Sequence, residues 1–285
     1  MAAMEIQRLA TIPNLLQAIS GPPTELYHAG APLRELLKRP KVAIVGSRAV
    51  TPYGKDVTRR LARELAEQGV VIISGLALGV DGIAHRAAIE AGGLTIAVLP
   101  TPITDIYPAV HSQLADQIVA KGGALISEYP AETPGFKTNF IARNRLIAGL
   151  ADIVIITEAT DTSGSLYTAK FAAKQGKPVM VVPGNITSPG SAGTNKLLKS
   201  GALVITSSKD VLKVLGIRQH RRTANKVAGK SPEEQLLIDL LLAGVQDGHD
   251  LWHESKLPIT TFNQVLINLE IADKVRNLGG NQWSL

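Results

Sequence analysis

Cysteine is absent from all 285 residues. This excludes disulfides, thiolate nucleophiles and cysteine-based zinc sites, and fits a reducing compartment. No apolar run approaches the roughly 20 residues needed to cross a bilayer. The first ten residues, which include Glu5 and Arg8, lack the apolar core of a secretory signal. Neither G-x-x-x-x-G-K-[ST] nor G-x-G-x-x-G occurs, so ATP hydrolysis and ordinary dinucleotide binding lack their usual phosphate loops. The histidines are scattered without metal-ligand spacing, and Ser163-Gly164-Ser165 has no recognisable histidine and acid for a nucleophilic triad. The expectation is a soluble, cytoplasmic protein with no membrane association, no metal, no cofactor and no catalytic machinery.

The chain is 45% hydrophobic, which argues against disorder, and is long enough for one large domain and a smaller second one. Its net charge of +6 favours a polyanionic partner. Four runs of aliphatic and β-branched residues end directly in small-residue loops. Val42-Ala43-Ile44-Val45 leads into Gly46-Ser47-Arg48, and Val70-Val71-Ile72-Ile73 into Ser74-Gly75. Ile153-Val154-Ile155-Ile156 leads into Thr157 and then Ser163-Gly164-Ser165, and Val179-Met180-Val181-Val182 into Pro183-Gly184. Continuous apolar runs of this kind mark strands buried on both faces of a parallel sheet. Small residues at their carboxyl ends bring backbone N–H groups and helix N-termini to one rim, which suits phosphate.

Alternation of strands and helices from Lys41 predicts an α/β fold, an extended Rossmann-like doubly wound and mostly parallel sheet. Residues 1–37 read as a lead-in with a short helical pattern, 38–215 as the Rossmann-like domain and 216–232 as a basic linker. Residues 233–285 read as a small winged-helix-like domain. There, Ser231 is the expected N-cap of a helix with Pro232 at its first position, Ile259 to Ile271 a further helix, and Lys274 to Leu285 a hairpin turning at Gly-Gly.

Lys137-Thr138-Asn139-Phe140-Ile141-Ala142-Arg143-Asn144-Arg145 gathers three cations and one aromatic ahead of a helix expected at 142–150. Cations that track phosphates and a ring that stacks on any base are what a single-strand binder needs. The plainer alternative is a solvated helix start with Phe140 in the core. Arg143 and Arg145 fall on different helical faces, so one of them has an internal acid as its alternative partner. In Ser74-Gly75-Leu76-Ala77-Leu78-Gly79-Val80-Asp81-Gly82-Ile83-Ala84-His85, Asp81 is the expected helix N-cap and His85 an interior residue.

With these residues in place, the chain resembles the DNA-processing protein A family, also called Smf, over about residues 26–216 and more loosely beyond. The likeness rests on Val45-Gly46-Ser47-Arg48, the Ser74 to His85 segment, Tyr107-Pro108 and Ser127-Glu128-Tyr129. It continues through Phe140, Arg143-Asn144-Arg145 with the following Leu146 to Leu150, Glu158, Ser163-Gly164-Ser165-Leu166, Pro183-Gly184 and Gly193-Thr194-Asn195. The resemblance implies a homodimer that binds single-stranded DNA, protects it and loads the RecA recombinase during natural transformation. Carried over by position, it implies phosphate contacts for Arg48 and Lys137, a base contact for Phe140, and backbone donors at Gly46, Ser47, Ser74, Gly75, Gly164 and Ser165. The remaining candidates on the DNA-binding rim are Arg143, Asn144, Arg145 and Ser163.

Two departures stand out. Pro100 and Pro102 occupy a loop where relatives often carry glycines, and Ile141-Ala142 follows Phe140 where many relatives have proline. Two other functions compete. A phosphoribohydrolase-like enzyme acting on nucleoside monophosphates would need a carboxylate, but Asn195-Lys196-Leu197 follows Gly193-Thr194, leaving Glu158 as the rim acid. A winged-helix regulator would bind duplex DNA through residues such as Lys256, Lys274 and Arg276.

Overall fold

A computed structural model describes residues 5–217, 228–272 and 274–285. These fall into two compact units, one within Met1–Gln219 and the other within His220–Leu285. The predicted linker at 216–232 lies partly outside the described residues.

Among the described residues, the first unit is built on a nine-stranded sheet. Its strands are β1 (Ile6–Arg8), β2 (Tyr27–Gly30), β3 (Lys41–Val45), β4 (Val71–Ser74), β5 (Thr95–Leu99), β6 (Ala124–Ser127), β7 (Ile153–Ile156), β8 (Val179–Val181) and β9 (Leu203–Val204). They lie in the order β1-β2-β6-β5-β4-β3-β7-β8-β9. From β6 to β9 all neighbours are parallel, while β1 and β2 add an antiparallel edge. The lead-in therefore contributes two strands that the sequence reading omitted. At three and four residues these strands are too short to carry a periodic signal of their own.

Successive residues of the central strands enter opposite cores. Ala43, Val45, Ile73, Val154 and Ile156 face a core shared with Leu146, Ile147 and Ala169, whereas Val42, Ile44, Ile72, Ile153 and Ile155 face one shared with Leu61, Leu65 and Ala84. Both faces are covered, which is why the runs read as uninterrupted apolar stretches.

The helices are α1 (Asn14–Gln17), α2 (Leu33–Leu37), α3 (Pro52–Glu67), α4 (Val80–Glu90), α5 (Ser112–Ala120), α6 (Lys137–Leu150), α7 (Ser165–Lys174), α8 (Ala192–Lys199) and α9 (Ser208–Val214). Leu16, Leu26, Leu33 and Leu36 of the lead-in are buried in the first of the two cores.

Three expectations are corrected. Helix α6 begins at Lys137, five residues ahead of the expected start, with Phe136 as its N-cap residue after Pro134-Gly135, so Phe140, Arg143 and Asn144 share one helix. The cap of α4 is Gly79 at φ 76°, not Asp81, which lies buried in the first turn. Helix α9 follows β9 where no element was expected, entered through a capping box formed by Ser207 and Asp210.

The second unit holds α10 (Pro232–Leu242), α11 (Gly248–Ser255), α12 (Ile259–Ile271), β10 (Arg276–Gly279) and β11 (Gln282–Ser284). Ser231 accepts from the Glu234 N–H at 3.2 Å, as an N-cap should. The two strands pair antiparallel, and the turn between them places Gly280 and Asn281 at positive φ. Leu237, Ile238, Leu251, Phe262, Leu266, Leu269, Val275 and Trp283 form a separate core.

Candidate nucleic-acid interface

Strand β3 pairs with β4 on one side and β7 on the other, and the chain winds away in opposite directions from this point. In an open α/β sheet, ligands bind at the carboxyl ends of the strands at such a switch point. A cavity of about 420 Å³ opens there, lined by Gly46, Ser47, Arg48, Ala49, Ala77, Asp81, Phe140, Ile141, Arg143, Asn144, Thr160, Ser163, Gly164, Ser165 and Thr168. A small neighbouring cavity of about 30 Å³ shares Arg48, Ala77, Phe140 and Arg143 and adds Gly75, Leu78, Tyr107 and Pro108.

Glycine at 46 is a packing requirement. A Cβ there would lie 2.7 Å from both the Glu158 carbonyl and a Val80 methyl. The turn that follows is tied on both sides. The Ser47 N–H donates to the Glu158 carbonyl at 2.8 Å and the Val80 N–H to the Ser47 carbonyl at 3.1 Å. These bonds aim Arg48 across the cavity mouth, where its guanidinium sits 5.3 Å over the Phe140 ring. On the far side, Ser163-Gly164-Ser165 presents the first turn of α7 to the cavity, with the Ser163 and Ser165 hydroxyls 2.8 Å apart.

Helix α6 supplies the floor. Phe140, Arg143 and Asn144 are three and four positions apart and so share a face. The Arg143 side chain is almost wholly enclosed at 4% exposure. It donates to the carbonyls of Gly75 and Val98, and through Nε to Asn144 Oδ1 at 3.2 Å. Burial lowers its pKa to about 10, opposed by the attraction of Asp81, so it stays cationic at neutral pH. Asn144 in turn donates to the Gly164 carbonyl at 3.2 Å, fastening α6 to the α7 loop.

Asp81 accepts the Gly75 N–H at 3.0 Å. Its pKa is raised by burial, with Arg143 pulling the other way.

The sequence-derived rim is therefore brought together in part. Gly46, Ser47, Arg48, Phe140, Arg143, Asn144, Ser163, Gly164 and Ser165 meet at one cavity, and Gly75 reaches the smaller one. Ser74 does not line either; its hydroxyl donates to the Ile44 carbonyl at 2.7 Å. The N–H groups of Ser47 and Gly75, expected to be open to phosphate, are already bonded to Glu158 and Asp81. Lys137 is exposed at the start of α6, one turn before Phe140 and outside the lining.

Arg145 faces away from the cavity and forms a two-pronged ion pair with Glu128 at 2.5 and 2.8 Å. Glu158, the rim acid, accepts from the Thr51 N–H and hydroxyl beside the N-terminus of α3. It too lies outside the lining. Thr160, Thr168 and Tyr107 were not singled out as site residues, although Thr168 stands three positions after Ser165 on α7, a spacing that places both on one face.

The family model of DNA recombination-mediator protein A matches residues 6–216. The chain belongs to this family. Relatives in it include Protein Smf of Escherichia coli, 42% identical over 73% of this chain and 56% of its own length. DNA processing protein DprA of Bacillus subtilis is 42% identical over 74% of this chain and 70% of its own. The chain thus spans little more than half the length of the Escherichia coli relative. Among solved structures, DNA processing protein A from Helicobacter pylori, described for its single-stranded DNA binding mode, is 40% identical with a TM-score of 0.68. That match covers 75% of this chain and 96% of that one. DprA from Streptococcus pneumoniae is 38% identical with a TM-score of 0.68, over 77% and 76%. Both are similar to the first unit in its large, mostly parallel α/β sheet. Among the described residues no helix is long and apolar enough to cross a membrane.

Proposed function

We propose that this protein binds single-stranded DNA at the switch-point rim and acts as a recombination mediator. In this reading it protects incoming DNA and loads RecA during natural transformation, as a cytoplasmic homodimer without catalytic activity. The observation that carries the binding step is the Arg48 guanidinium poised over Phe140 at the mouth of the cavity. One group offers a phosphate contact and the other a base contact within reach of a single nucleotide. The single-strand binding mode of the Helicobacter pylori relative supports the same choice of ligand.

Three features weigh against a nucleoside monophosphate hydrolase. The Glu158 carboxylate is engaged by Thr51. Asn195 is engaged by the Gly184 backbone in both directions. A Cβ at Gly193 would lie 2.4 Å from the Thr160 carbonyl, so that glycine serves close packing.

We read three helices followed by a hairpin as a winged-helix module. A duplex-binding regulator fits it poorly, because the exposed residues of α12 include Thr260, Asn263, Gln264, Ile267, Asn268 and Ile271, and the helix has no Lys or Arg. Residues 228–285 carry four Lys and Arg against eight Asp and Glu, a net −4, which leaves +10 for residues 1–227. Duplex affinity depends on phosphate neutralisation. Lys274 is moreover held by the Ala228 carbonyl and Glu234.

The test is fluorescence anisotropy of the protein with labelled single-stranded and duplex oligonucleotides across a salt series. Strong single-strand preference with a log-log salt slope of about −0.7 per phosphate contact is the expected result. Duplex preference unaffected by Arg48→Ala would overturn the assignment of the rim.

A further inference from the structure

Tyr107-Pro108 contributes to the family resemblance, yet no role follows for it from the rim as described. Tyr107 lies on the loop leaving β5, and the residue is 50% exposed. The Phe140 and Tyr107 rings pack edge-to-face, with centroids 5.2 Å apart and planes at 82°. Phe140 thus neighbours both this ring and the Arg48 guanidinium, while Tyr107 keeps half of its surface open to solvent.

The loop that carries Tyr107 is anchored. The Ser127 hydroxyl donates to the Thr101 carbonyl at 2.7 Å, the Thr101 hydroxyl to the Asp105 carbonyl at 2.6 Å, and Ile103 is buried. Pro100 and Pro102 therefore sit in a fastened segment. A large aromatic surface fixed beside a cationic rim has the make-up of a stacking position for a base.

We propose that Tyr107 is a second base-stacking platform, next to the position served by Phe140. This deepens the single-strand reading and rests on it. Bases in a duplex are stacked parallel, whereas these two rings stand nearly perpendicular. Two neighbouring bases that each lie on one of the rings must splay apart, which an unpaired strand does readily and a duplex does not. Tyr107 then contributes both affinity and the rejection of duplex DNA, with little preference among bases because each has a π face.

The experiment compares the parent with Tyr107→Phe, Tyr107→Leu and Tyr107→Ala. Binding is followed with labelled oligothymidylate and with the corresponding duplex, each across a salt series. A fluorescent base analogue placed singly at successive positions of the strand reports stacking by quenching.

Tyr107→Phe should bind like the parent. The Leu and Ala variants should bind single strands roughly 5- to 150-fold more weakly, the range that loss of one stacked base gives. Their salt slope should stay unchanged, since no phosphate contact is removed. Quenching should disappear at one position while another keeps it.

Tyr107→Leu keeps an apolar side chain against Phe140, so a fold defect would appear in Ala alone. Parental affinity in the Leu variant, or an equal loss in the Phe variant, overturns the proposal. If the parent itself fails to bind single strands, the functional reading falls first. If the parent binds and Arg48→Ala weakens it while the Leu and Ala variants do not, the Tyr107 assignment alone falls.

Discussion

Arg143 donates through Nη1 to the carbonyl of Gly75 at 2.7 Å, and its guanidinium occupies the space that a Cβ on Gly75 would need. The pair joins α6 to the loop after β4. A guanidinium that reads as a phosphate ligand in sequence is in this fold an internal brace. Its charge still raises the potential of the cavity floor. Its donors to Gly75, Val98 and Asn144 are committed inside the protein.

Replacing Arg143 by Met should leave two buried carbonyls without donors. A buried acceptor left unpaired costs about 1 to 3 kcal/mol, so a stability loss of about 3 kcal/mol is expected by denaturant unfolding. Gly75→Ala should destabilise in the same direction by displacing the guanidinium. A loss below about 1 kcal/mol in Arg143→Met would show that the brace is dispensable.

Arg145 and Glu128 are both largely buried and pair through two bonds. Removing the arginine leaves a carboxylate unpaired in a poorly solvated position, which costs about 3 to 5 kcal/mol. Arg145→Ala should therefore lower the unfolding midpoint and, measured below that midpoint, leave single-strand affinity close to the parent. A large loss of affinity in the folded variant would return Arg145 to the DNA site.

Arg48→Ala and Lys137→Ala should behave in the opposite way. Each should keep parental stability and weaken single-strand binding, with the magnitude of the log-log salt slope reduced by about 0.7 for each phosphate contact removed. A slope that stays at the parental value in Lys137→Ala would mean that this exposed residue, outside the cavity lining, touches no phosphate.

The Thr95 hydroxyl donates to the Ile72 carbonyl at 2.7 Å, so the 2.6 Å contact with His85 needs the proton on His85 Nδ1. Nε2 is then a buried acceptor without a partner. Burial, reinforced by nearby positive charge, lowers the His85 pKa from its ordinary 6.5 to about 3.

The unfolded chain binds this proton between those values and the folded chain does not, so the contribution to stability falls as pH drops from 6.5 toward 3. The slope is at most about 1.4 kcal/mol per pH unit. His85→Gln should lose this term, and its stability deficit against the parent should shrink as pH is lowered through that window. Parallel pH profiles for the two proteins would contradict the assignment.

Much of the first unit is legible in sequence because burial on both faces writes uninterrupted aliphatic runs. Val42 to Val45 and Ile153 to Ile156 each enter two cores at once. Their order, with small loops at the carboxyl ends, already implied that these loops meet at one rim. Ser231 and Pro232 likewise announced α10, since capping and first-turn chemistry are local.

Partner choice is not local, and there the tertiary structure decided. Arg48 and Arg145 are the same residue type, but one meets a phenylalanine ring at the cavity mouth and the other a carboxylate 17 positions back in the chain. The Gly75 N–H lost its freedom to Asp81, and Tyr107 came beside Phe140 only through the packing of the loop after β5 against α6. Periodicity and turn chemistry specify each element from its own residues. Which charge stays free for a ligand depends on what distant segments place next to it, and only packing determines that.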